Sequence, residues 1–353
     1  MPAHPLPRRR RARAAAVVAV LLGLLALVTA CGSSSSSSSA SEGGGSGSSD
    51  TAVPSGDVKP YTLKIGYVGV SEPSGAEGYY GSLGKLQEDL APYGVEKIEW
   101  VRFPAGPPAA QALTSGAVDI QFSGDVSTIV ARANGGEVVV ALDQNYDGLD
   151  PWLVAKKGGP TSLAELEGKS VAVAAGSFLD RFLEIVLKDA GLYDKVTIVN
   201  MDPNQSQTAV ESGSVDAAVI LAPQAPTLQA DGHPVLAQAS KDAPRAVATT
   251  LTSANKKFLD AHPEFPAAWE KARTNAARYI QENAEAYSDY MVDVVYKGAY
   301  SAEAVAQYLS PDLYTLVPWS DAGTKLLEEE KTWLLDNGWI KTDFDISEWQ
   351  WQY

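Results

Sequence analysis

The sequence predicts an α/β protein of two lobes, each a mostly parallel sheet flanked by helices, followed by a helical C-terminal extension. Three observations carry this reading. From Tyr61 onward, alternating apolar runs and helical periodicities succeed one another as strand, helix, strand, helix, strand. The same order restarts near Ser162. A short string also recurs: Ser115-Gly116-Ala117-Val118-Asp119 returns as Ser212-Gly213-Ser214-Val215-Asp216, which points to two equivalent helix-to-strand junctions.

In the first lobe, "YTLKIGYVGV" from Tyr61 alternates as a strand, and "SEPSGAEGYY" is a polar, glycine-rich loop. "GSLGKLQEDLAPYG" has helical spacing and stops at Gly94, and "VEKIEWVRF" is the second strand. "AGPPAAQALTSG" is a helix opened by prolines and closed by Gly116, where a C-cap calls for positive φ. "AVDIQF" is the third strand. "SGDVSTIVARANGG" turns into the next helix with Ser123 or Asp125 as N-cap, and Glu137–Leu142 is the fourth strand.

The second lobe reads as a short helix at "SLAELEG", a strand over Ser170–Ala174, a glycine turn and a helix. "KVTIVNM" is a strand, "NQSQTAVESG" a helix and "SVDAAVILAP" a strand. Beyond about Ala254 the pattern is mostly helical. Trp269, Ala272, Ala276 and Tyr279 recur at helical intervals and read as core.

The front of the chain reads differently. "RRRRAR" (Arg8 to Arg13) precedes an uncharged stretch, Ala14 to Ala30, and then Cys31. This is the order of an export signal, and the stretch is shorter than the ~20 residues of a spanning helix; an uncut membrane anchor is the other reading. "VTAC" (Val28 to Cys31) resembles the lipobox of bacterial lipoproteins, which implies lipidation of Cys31, an extracytoplasmic location on the outer face of the plasma membrane, and a signal peptide over 1–30. Residues 31–60 then form a Ser/Gly-rich tether.

Without residues 1–30, which hold five arginines and no acid, the formal charge goes from −15 to −20. That field disfavours nucleic acid. Cys31 is the only cysteine, so a thiol nucleophile in the folded part is excluded. His233 and His262 each precede a proline in polar loops without metal-ligand spacing. No cofactor, no metal and no catalysis are expected.

Ligands of open parallel sheets lie beyond the carboxyl ends of the strands, where helix N-termini offer free N–H groups to anionic oxygens. The sequence supplies such turns at Ser123-Gly124-Asp125 and at Gly176-Ser177-Phe178.

"FPAGPPAAQALTSGAVDIQFSGDVSTIVARANGGEVVVAL", "SLAELEGKSVAVAAGS", "LKDAGL", "VESGSVDAAVILAP" and "FLDAHPEF" occur in that order. Together they resemble the extracytoplasmic solute-binding proteins of ABC importers for nitrate, taurine and aliphatic sulfonates, above all the aliphatic-sulfonate branch. The resemblance implies a type II periplasmic-binding-protein clamshell that closes on a small organic anion or zwitterion. It also implies delivery of that solute to a membrane permease and, through it, the ATPase, by a monomeric receptor. Lobe 1 would comprise 61–150 plus 246–353 and lobe 2 residues 151–245, with crossings near Asp150–Val154 and Asp242–Ala248.

Binding positions carried over by motif are Ser71 and Glu72 after the first strand, Ser123-Gly124-Asp125, and Gly176-Ser177. Phe178, Tyr80 and Pro223 join them as candidate walls, with Tyr79 and Tyr146 as further loop aromatics. Related sequences often place a tryptophan where this chain has Leu221-Ala222-Pro223. Asp125 is either an N-cap or a partner for the amine of a zwitterion such as taurine; Arg181 is either an anion partner or a solvated helix residue. The alternatives to a solute receptor are a surface lipoprotein with a protein partner and an enzyme on the same scaffold.

Overall fold

The computed structural model describes residues 58–69 and 71–353, the side chains of Tyr146 and Asp147 excepted. The expected signal segment, Cys31 and most of the tether lie outside the described residues.

The chain opens with β1 (Tyr61–Val68), α1 (Gly75–Ser82), α2 (Lys85–Leu90), β2 (Val95–Phe103), α3 (Gly106–Ser115), β3 (Ile120–Gly124), α4 (Asp125–Gly135) and β4 (Val139–Leu149). It continues through β5 (Trp152–Ala155), β6 (Ser170–Val173), α5 (Phe178–Asp189), β7 (Thr197–Asn200), α6 (Pro203–Ser212), β8 (Ala217–Ile220), α7 (Gln224–Ala230), β9 (Val235–Gln238) and α8 (Ala239–Asp242). Then come β10 (Ala248–Asn255), α9 (Lys256–Ala261), α10 (Phe265–Glu282), α11 (Ala284–Asp289), α12 (Ala302–Tyr308), α13 (Asp321–Asp336) and α14 (Ile346–Trp349).

Two five-stranded sheets result, in the orders β2-β1-β3-β10-β4 and β7-β6-β8-β5-β9. β1 runs parallel to β2 and β3, and β6 runs parallel to β7 and β8; β10 and β5 are the reversed strands. Each sheet is thus mostly parallel, and the two have the same plan. The chain crosses between them after β4 and again between β9 and β10. Asp150 pins the two crossings together: its carboxylate accepts from the Ser240 amide and hydroxyl, both at 2.8 Å.

The recurring string does the same job in both sheets. Gly116 and Gly213 end α3 and α6 at φ 75° and 74°, a region in which a Cβ is strained. Val118 and Val215 are buried beneath the turns. Asp119 then accepts the Lys64 amide of β1 at 2.8 Å, and Asp216 the Ser170 amide of β6 at 3.0 Å. One cassette therefore stops a helix, turns the chain and anchors the neighbouring parallel strand.

Three expectations need correction. "SEPSGAEGYY" is not all loop, because α1 begins at Gly75 and buries Tyr79 and Tyr80 against α10. The fourth strand runs on past Leu142 to Leu149. β5, β9 and β10 lie where no strand was expected; β10 is interior to the first sheet, with Thr249, Thr252 and Ser253 buried between β3 and β4 and little apolar alternation.

The C-terminal helices join both sheets. Leu327 and Leu334 of α13 pack with Val126 and Ile129 of α4, while Trp333 reaches the core of the second sheet. Trp339 donates to Glu184 of α5 at 2.9 Å.

Candidate functional site

A cavity of about 240 Å³ lies between the two sheets, below the 300–1,000 Å³ typical of drug-sized ligand sites. The first sheet and its helices supply Tyr67, Ser74, Gly75, Glu77, Phe122, Ser123, Gly124, Asn145 and Thr250; the second supplies Phe178, Leu221 and Ala222. Tyr296, Leu309 and Tyr314 of the C-terminal region close one side. A second space of about 160 Å³ shares Val68, Ser74, Leu221, Ala222 and Tyr296 with it and extends toward Pro104 and Pro203.

The lobes meet where Phe178, the first residue of α5, covers Gly124. A Cβ on Gly124 would stand 2.4 Å from Phe178 Cδ1, so only glycine admits this approach. Gly78 is required in a similar way: its Cβ would fall 2.3 Å from the Pro73 carbonyl oxygen, and the close turn sets the Pro73-Ser74-Gly75 wall.

Of the expected binding positions, Ser123, Gly124 and Phe178 line the cavity. Ser71 does not; its hydroxyl donates to the Val295 carbonyl at 2.9 Å, and Glu72 is exposed beside it. The wall comes from Ser74 and Gly75, a few residues further along. Tyr80 is buried in the first-lobe core, bonded to Asp89 at 3.1 Å and packed on Tyr279. Gly176 borders a separate surface groove beside Pro107. Ser177 caps α5, accepting from Leu179 N at 3.2 Å. Pro223 does not line the cavity, whereas its neighbours Leu221 and Ala222 do.

Asp125 is neither the N-cap nor a cleft residue. Gly124 is the cap; Asp125 is fully buried, accepting from Val126 N and, across the fold, from Thr249 N, both at 2.7 Å. Beside it, Arg181 of α5 stands 3.0 Å from Glu330 of α13, with both side chains almost wholly buried. Burial raises the Asp125 carboxyl, and burial together with the Asp125 charge pushes Glu330 well above the usual carboxylate range. Arg181 is thus neither solvated nor free for an anion. The cluster ties α4, α5, α13 and β10 into one junction.

The sequence reading missed Glu77 and Asn145. Glu77 is 5% exposed and accepts from Asn145 Nδ2 at 3.0 Å. Burial raises its carboxyl, Arg273 pulls it down, and Asp143 pushes it up. Behind the wall, Asp143 takes the Trp269 indole N–H at 2.9 Å and faces Arg273 Nε at 3.4 Å. The available signal was an acid set among Gly75, Ala76 and Gly78 on a helix whose next residues, Tyr79 and Tyr80, are core. His233 is structural, its ring 3.0 Å from the Ala155 carbonyl, and His262 stacks on Tyr61 with Glu264 at 3.8 Å.

Two lobes of one topology enclosing a small cleft define the periplasmic-binding-protein fold. The aliphatic sulphonate binding protein SsuA of Escherichia coli superposes with a TM-score of 0.64 at 23% identity, over 83% of this chain and 98% of that one. SsuA of Xanthomonas axonopodis, solved bound to MOPS, gives 0.68 at 21% identity, over 84% and 99%. The desulfurization enzyme DszB shares the fold at 16% identity with a TM-score of 0.61, over 82% and 96%; at these identities the likeness is one of fold. The chain belongs to the NMT1/THI5-like family, whose model matches residues 101–287, just over half of it. An Escherichia coli protein named for binding aliphatic sulfonates is 32% identical over 179 residues, 50% of this chain and 54% of that protein. The taurine-binding periplasmic protein of Escherichia coli is 29% identical over 180 residues, 51% and 56%. The matched stretch therefore spans about half the length of these relatives.

Proposed function

We propose that this protein is the solute receptor of an ABC importer that captures a small sulfonate-class solute, an aliphatic sulfonate or a taurine-like zwitterion, and delivers it to a membrane permease. The observation that carries the reading is the cavity of about 240 Å³ between the sheets, walled by both lobes, which approach each other where Phe178 lies over Gly124. Family membership and the names of the relatives at 32% and 29% identity support the solute class. The receptor acts as a monomer on the outer face of the plasma membrane, held there by lipid on Cys31; the "VTAC" junction and the Ser/Gly-rich tether support this. Lobe 1 is 61–150 plus 246–353 and lobe 2 is 151–245, with Asp150 and Ser240 at the hinge.

Calorimetric titration of the purified protein with alkanesulfonates, taurine and nitrate tests the reading, with small-angle scattering to follow closure. One site per chain and a smaller radius of gyration are expected. Failure of every sulfonate to bind or to raise thermal stability would sink it, since any ligand of the native state stabilises it.

A further inference from the structure

The charges around the cleft do not balance. Glu77 lines the cavity, and Asp143 lies directly behind it; among the described residues Arg273 is the one cation facing them, and it stands 3.4 Å from Asp143. Arg273 also donates to Thr315, at 2.6 Å to the carbonyl and 3.0 Å to the hydroxyl. Two buried acids against one buried guanidinium leave a deficit of one positive charge, and it falls on the carboxylate that faces the ligand space. Among the described residues lining the cavity there is no lysine, arginine or histidine to fill it. A buried charge is stable only when paired. A plain anion entering this space would add to the imbalance.

We propose that the ligand carries an ammonium group, bound by the Glu77 carboxylate beside Asn145. The proposal rests on the reading of the cleft as the solute site and narrows that solute to an amine-bearing one, such as an aminoalkanesulfonate. The wall chemistry fits: Tyr67, Tyr296 and Tyr314 line the same cavity, and aromatic faces attract cations. Ser74 and Ser123 line the cavity; the Ser123 hydroxyl pairs with Thr128 at 3.0 Å, while Ser74 makes no side-chain cap bond to α1. Ser74 is thus the neutral donor that suits the sulfonate end. Burial raises the Glu77 carboxyl against the pull of Arg273; a ligand ammonium beside it would favour the carboxylate form. Arg273 and Asp143 are the charged groups facing Glu77, with Glu270 and Tyr353 beyond them.

The test compares matched ligands on the purified protein by calorimetry: taurine against ethanesulfonate, homotaurine against propanesulfonate, and ethanolamine as an amine without a sulfonate. A buried polar group left unpaired by the analogue discriminates strongly, so the amine-bearing member of each pair should bind at least about tenfold tighter. Glu77→Gln should erase that preference while retaining ethanesulfonate binding, with thermal melting as the check on folding. The wild-type comparison stands even if the variant does not fold. Ethanesulfonate binding as tightly as taurine overturns the proposal, and so does failure of every amine to bind. If ethanolamine binds through Glu77 while all sulfonates fail, the ammonium site stands and the sulfonate-receptor reading falls.

Discussion

Replacing Arg181 by methionine should cost more than any surface change in the molecule, and the cost should depend on pH. Arg181 is 3% exposed, and Glu330 and Asp125 are fully buried. Methionine keeps much of the packing against Trp333, whose ring centre lies 5.5 Å from the guanidinium, but removes the charge. Asp125 retains its amide donors from Val126 and Thr249; Glu330 loses its cation. Breaking a buried pair by deleting one partner costs about 3–5 kcal/mol, which in a protein of this size is a fall in Tm of roughly 5–8 °C. The pH sign follows from the carboxyls. Burial already raises both in the folded protein, and loss of Arg181 raises them further. An acid whose folded pKa lies above its unfolded one contributes stability that is full below the unfolded value and is lost as pH rises through the folded one. The deficit of Arg181→Met should therefore be small near pH 4.5 and widen toward pH 8. Thermal melts of both proteins at pH 5 and pH 8 measure it. Adding Glu330→Leu should recover most of the loss, because an apolar replacement of the whole pair removes the orphaned charge. A cost under about 1 kcal/mol at pH 8, or an equal cost at both pH values, refutes the reasoning.

Other outcomes follow from the same structure. Gly124→Ala places a methyl 2.4 Å from the Phe178 ring; it should disfavour closure and weaken solute affinity, and Phe178→Ala in the same chain should restore the approach, as titration and scattering would show. Asp216 is held down to about 2, first by its hydrogen bond from Lys156 and then by the Ser170 amide; its contribution is present above the unfolded value and lost as pH falls toward about 2, so Asp216→Asn should cost about 1 kcal/mol at pH 6 with the gap closing near pH 2.5 in urea titrations. Gly116→Ala and Gly213→Ala should each destabilise by about 1 kcal/mol, and equally, since both caps sit at the same φ; markedly unequal melts would show that the two junctions are not equivalent. Amine affinity at Glu77 should rise with pH, because an ammonium favours the ionised form of a carboxyl that burial raises; taurine affinity that falls as the pH rises would contradict this.

By itself the sequence determined the two-lobed α/β plan, because that plan is written in local signals: period-two apolar runs, prolines that open α3, and glycines that close α3 and α6. It also determined the equivalence of the two junctions, since capping and strand anchoring need only five consecutive residues. Ser123, Gly124 and Phe178 were legible as cleft residues because helix N-termini at strand ends are local features. Tertiary structure decided everything that depends on what lies across a gap. β10 is a polar strand that counts as interior only because β3 and β4 flank it. Asp125 looked like a cap until Thr249 and Arg181 were brought to it from distant parts of the chain. Glu77 was hidden in a glycine-rich stretch that reads as loop, and its charge acquires meaning only from Asp143 and Arg273. A side chain's burial and charge balance are sums over neighbours that the chain order does not state, so the charges set against the cleft could be read only after folding.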